Sequence, residues 1–98
     1  MTGEKVVTHF LRSDKNPTGY KLEDLLMLLR ADVLYRCEQI ADDMRPEALH
    51  VMSNNVRVLG HLSEALSAAM NSTRALDRAF GPSVAAHGGP PRIGKDAA

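Results

Sequence analysis

The residues best equipped for chemistry in this chain fall in one run: His50, Asn54, Arg57, His61 and Glu64. Steps of four, three, four and three place them on one side of an α-helix, where residues three and four apart are neighbours. Together they offer hydrogen bonds and both signs of charge. They do not form a metal cage. His50 and His61 stand three turns, about 16 Å, apart along a helix, and neither has a second ligand four residues on. The chemistry that suits such a strip is recognition of another protein. Arg57 is its natural anchor, because arginine is enriched among residues that dominate binding energy. The plainer reading is a solvated helix face.

Other reactive types are isolated. Cys37 needs a cationic neighbour to become a nucleophile; Arg36 is adjacent in sequence but points elsewhere on a helix, so the thiol reads as a small core residue. The carboxylates Asp24, Asp32, Glu38 and Glu64 lack the Glu-x-x-His spacing of di-metal bundles. Thr2-Gly3-Glu4-Lys5 is similar to a zinc-finger linker, but no Cys/His ligand set follows. Asn71-Ser72-Thr73 is a glycosylation sequon that falls within a helical pattern. No nucleophile–base pair, phosphate-cradling glycine loop or dinucleotide fingerprint is present. The expectation is a protein that is not an enzyme, with no catalytic residues, cofactor, metal or small-molecule substrate.

One stretch has a relative. His50-Val51-Met52-Ser53-Asn54-Asn55-Val56-Arg57-Val58-Leu59 resembles the phosphoacceptor helix of one histidine-kinase class, in which two asparagines follow the histidine four and five residues on. Dimerisation domains of that class are helical hairpins that pair into four-helix bundles. The resemblance implies a phosphotransfer or sensor module with His50 as an exposed phosphate acceptor. It covers about ten residues, and Ser53 stands where the family carries lysine.

Composition sets the class of scaffold. Hydrophobic residues make up 44% of the chain and aromatics 4%, so a core must come from Leu, Val, Ala and Met, which favours helix-on-helix packing over a β-sandwich. Twelve basic and twelve acidic residues cancel. No basic stripe is available for phosphates and no aromatic platform for bases, which argues against nucleic acid; a small DNA-binding regulator is the third functional alternative. The longest apolar run, residues 25–29, is far too short to span a membrane. A polar start without an apolar stretch and a lone cysteine fit a reducing cytoplasm.

The elements that position these residues follow from periodicity. Residues 13–19 gather turn formers, and Thr18 is a candidate N-cap for a helix over 20–43 with Glu23 and Asp24 in its first turn. Its stripe is Leu22, Leu26, Leu29, Val33, Cys37, Ile40 and Met44. Asp42 and Asp43 sit poorly at its end and are better read as leading into the next element. Pro46 opens a second helix over 46–80, and Gly81-Pro82 stops it. Along it Ala48, Met52, Asn55, Leu59, Leu62, Leu66, Ala69, Thr73, Leu76 and Phe80 make an unbroken 3.5-residue seam. Asn55 within that seam reads as a register-fixing residue.

A connection of two or three residues makes the helices antiparallel. The longer helix overhangs with Ala69, Met70, Thr73, Leu76 and Phe80, and residues 4–12, helical or extended, are expected to fold back over it. Residues 25–29 wrap apolar side chains right round the first helix, so one neighbouring helix cannot bury them all. Leu25 and Leu28 join Met52, Asn55, Leu59, Leu62 and Leu66 as candidates for the packing and oligomer seam. Val51, Val58 and Ala65 flank one side of the seam, and Leu49, Val56 and Met70 the other. That breadth predicts a homodimer forming a four-helix bundle, or an obligate hetero-complex. Residues 1–81 are expected to form one domain. The Gly/Pro-rich 82–98 read as a flexible tail, or as a docking peptide anchored by Arg92 and Ile93. The functional expectation is a regulatory, adaptor or accessory subunit working through protein contacts.

Overall fold

The structure, a computed structural model, describes residues 9–94. It is mostly helical: α1 covers Leu22–Gln39, α2 covers Pro46–Phe80, and a single 3-10 turn follows at Ala85–His87. The described residues contain isolated bridges but no strand. None of their helices is long and apolar enough to cross a membrane.

The chain divides into two compact units. One is Leu22–Ala75; the other joins the flanking residues, 9–21 and 76–94 among those described. In the first unit α1 and α2 form a helical hairpin. Its stem is the 3.5-residue seam. Every position of α2 that is not exposed belongs to it: Ala48, Met52, Asn55, Leu59, Leu62, Leu66, Ala69, Thr73 and Leu76. Leu66 and Ala69 are buried, at 8% and 7% exposure.

The facing stripe of α1 is not the all-apolar one expected. Its half-buried residues are Glu23, Leu25, Leu26, Arg30, Val33 and Cys37. Leu22 and Leu29 are exposed instead, and Met44 is 70% exposed. Arg30 lies beside Ser63, with its guanidinium 3.4 Å from the hydroxyl oxygen. A helix apolar on every side can turn several faces inward at similar cost, and the one chosen here carries two charges.

α2 begins as its sequence requires. Pro46 needs no hydrogen-bond partner at the first position, and the Arg45 carbonyl accepts the first helical bond from Leu49 N–H at 3.0 Å. Gly81 ends it at φ 81°, a left-handed conformation open to glycine, with its N–H bonded to Asp77 O at 2.8 Å.

α1 is shorter than expected at both ends. At its start, Tyr20 is held elsewhere: its N–H bonds to Phe10 O at 2.9 Å and its carbonyl accepts Arg12 N–H at 2.7 Å. Thr18 therefore caps nothing on α1. Asn16 donates to the carbonyls of His9 and Leu11, both at 2.9 Å. Gly19 sits so close to this turn that a Cβ would lie 2.7 Å from Leu11 C and 2.8 Å from Arg12 N.

At its C-terminal end the dipole opposes Asp42 and Asp43. The chain leaves through tight turns, with Ile40 N–H bonded to Cys37 O at 3.2 Å and Asp43 N–H to Ile40 O at 3.1 Å. The connection is thus residues 40–45, longer than the two or three residues expected. Asp43 turns forward, accepting Arg45 N–H at 3.1 Å and the Arg45 guanidinium. Those bonds, the side-chain one first, lower the Asp43 carboxyl below its ordinary pKa and raise Arg45 in return.

The expected cover for the overhang falls largely in residues 1–8, outside the described residues. Its remainder, 9–12, is non-helical, and Phe10 and Leu11 are exposed, as are Met70 and Phe80.

Candidate functional site

The surface with the most to offer is on the hairpin. Helical spacing keeps His50, Asn54, Arg57, His61 and Glu64 on one side of α2, and all five are exposed. His50 Nε2 lies 3.4 Å from the Asn54 side-chain nitrogen. Asn54, Arg57, Val58 and His61 line a shallow open depression. Histidine and guanidinium there could bind acidic groups of a partner. The described residues contain no cluster of three or more His, Cys, Asp or Glu placed to hold a metal ion.

The hairpin also carries exposed apolar groups. Exposed on α1 are Met27 (49%), Leu28 (53%), Leu29 (46%), Leu34 (49%) and Tyr35 (58%). On α2 the seam's flanks, Leu49, Val56 and Met70 on one side and Val51 and Val58 on the other, are also exposed.

The Arg30–Ser63 contact assigns these flanks to the two faces of the hairpin. At 100° per residue, Met27 and Leu34 share Arg30's flank of α1, while Val56 and Met70 share Ser63's flank of α2. That face therefore carries Glu23 and Arg30 at its centre. The opposite flanks carry Leu22, Leu25 and Leu29 on α1 and Val51, Val58 and Ala65 on α2, with Arg36, 72% exposed, seven residues beyond Leu29 on the same flank. His61 and Asn54 border that face. Leu28 and Tyr35 point from the back of α1.

The remaining sequence candidates are dispersed. Met52, Asn55, Leu59, Leu62 and Leu66 lie in the stem between the helices. Cys37 is half-buried on the inner side of α1. Arg92 is bonded within its own unit, to Asp77 and to Gly81 O, while Ile93 is 61% exposed. Sequence reading missed Arg30 and Glu23 on the inner face, and it missed the Asp77–Arg92 pair. An arginine four residues from one leucine and one residue from another gives no local sign that it will turn inward.

No protein-family model matches the chain, and no curated protein or solved structure is significantly similar to it.

Proposed function

We propose that this chain is a non-catalytic regulatory, adaptor or accessory subunit that works through protein–protein contacts of its hairpin. Two copies pack through the face that carries Leu22, Leu25 and Leu29 with Val51, Val58 and Ala65, to make a four-helix bundle. The observation that carries this reading is the burial pattern. Two described residues are buried, while five large apolar side chains of α1 between Met27 and Tyr35 stay about half exposed. So much exposed apolar surface against so small a buried core is characteristic of proteins with interaction sites. Docking on the other face would have to complete the desolvation of the half-buried Arg30 and Glu23, whereas Arg36, 72% exposed, can keep its head in water at the edge of this one.

In the dimer the polar strip from His50 to Glu64 stays at the edge of the bundle, available to a further protein. The decisive experiment is solution mass by light scattering with far-UV circular dichroism, on the wild type and Leu29→Asp. A helical dimer that Leu29→Asp converts to monomer supports the proposal. A wild-type chain that is monomeric and fully helical at all concentrations rejects the bundle.

A further inference from the structure

The C-terminal segment, which composition describes as a tail, folds back on itself. The His87 and Gly89 N–H groups both donate to Val84 O, at 3.0 and 2.9 Å, and Gly88 N–H donates to Ala85 O at 3.0 Å. Ser83 Oγ accepts Ala85 N–H at 3.2 Å. Gly88 has φ 75°, and a Cβ on Gly89 would lie 2.8 Å from Val84 Cβ and 3.0 Å from its carbonyl oxygen. The paired glycines are therefore what allow the turn to close on Val84.

Its two ends meet. One guanidinium nitrogen of Arg92, Nη1, donates to Gly81 O at 2.9 Å and to the Asp77 carboxylate. The site is physically suited to a cation: the last carbonyls of a helix lack partners, and the macrodipole is negative there. Arg92's side chain is 17% exposed and Asp77's 50%. A span of this length with joined ends and internal bonds is an Ω-loop. Among the described residues, Arg92 is the one side chain of 82–94 hydrogen-bonded to anything before residue 82.

We propose that residues 81–92 form a latched Ω-loop, a strap whose clasp is Arg92 and whose opening frees residues 82–94 as one piece. Closed, the strap keeps Arg92 engaged with Asp77 and the end of α2. Open, it releases Arg92 to solvent beside Pro91 and Ile93, which are exposed already. Because Asp77 is half exposed, salt can reach the ion pair and shift the balance. The strap uses no residue of Leu22–Ala75, so it stands or falls independently of the hairpin's role.

Hydrogen exchange of the full chain, read by mass spectrometry, tests this. In Arg92→Ala, amides of 84–89 should exchange about tenfold faster or more, as loss of charge-assisted hydrogen bonds implies, while amides of 46–75 keep their wild-type rates. Raising salt to about 1 M should accelerate 84–89 in the wild type and leave Arg92→Ala unchanged. Three results overturn the strap: unprotected 84–89 amides in the wild type, no change on Arg92→Ala, or equal acceleration throughout α2.

Discussion

Replacing Leu66 by alanine removes three carbons from one of the two buried described side chains. At about 0.8 kcal/mol per buried methylene equivalent the transfer loss is about 2.4 kcal/mol. With 8% of the residue exposed, about 2 kcal/mol is the expected cost. A two-helix stem can collapse onto the gap, so little cavity energy adds to it. For a domain of this size the corresponding drop in Tm is about 8–16 °C. Leu29 and Leu34, at 46% and 49% exposure, should each cost about 1 kcal/mol in an isolated hairpin by the same scaling.

A second copy on the Leu29 face changes one of those two numbers. Leu29→Ala should then cost about 2 kcal/mol, and its Tm should rise with protein concentration. Leu34→Ala, on the Arg30 face, should stay at about 1 kcal/mol. Thermal melts by circular dichroism over about a hundredfold concentration range read all three variants. Leu66→Ala within about 0.5 kcal/mol of wild type would refute the seam as the stem's core. Equal costs at Leu29 and Leu34 would refute the choice of face.

Gly19→Ala should open the 9–20 turn, at about 1–3 kcal/mol of local cost, seen as faster exchange of the Arg12 and Tyr20 amides with helix content unchanged. Arg30→Leu should stabilise the hairpin by about 1 kcal/mol, since a long 3.4 Å bond to Ser63 compensates poorly for a half-buried charge; a lower Tm would show that the bond matters more than the desolvation. The Asp43 carboxyl, its pKa lowered by Arg45, supports the start of α2 fully above the unfolded-state pKa. That support is lost as pH falls through the lower folded value. An Asp43 carboxyl resonance titrating at or above the ordinary aspartate value would contradict this.

Much of α2 was legible because its signals agree at every level. Proline at the start, glycine at the stop and a 3.5-residue repeat between them gave 46–80, and the structure has Pro46–Phe80. The first helix was less legible at both ends and in rotation. Its start is decided by the bond of Tyr20 to Phe10, ten residues back in the chain, and its end by Asp43 bonding forward to Arg45. Its rotation is decided by contact with α2, because leucines on every side leave no apolar stripe to read. Composition alone described 82–98 as a tail; the Arg92 bond to Asp77 joins residues fifteen apart and has no sequence signature. The polar strip of α2 was legible as a strip, since helical spacing alone puts it on one side.

A hairpin that hides Leu66 and Ala69 and leaves Leu28, Leu29, Leu34 and Leu49 about half exposed also has a calorimetric character. Heat capacity of unfolding measures apolar surface newly exposed to water, about 12–15 cal/mol/K per residue for an ordinary domain. The lone hairpin has little such surface left to expose, so its stability should vary weakly with temperature and its melt should be broad. Each chain that finds a partner would convert exposed leucines into hidden ones and acquire the curvature and sharp transition of a larger protein. Assembly would in this way change the kind of thermal transition the chain undergoes as well as its midpoint.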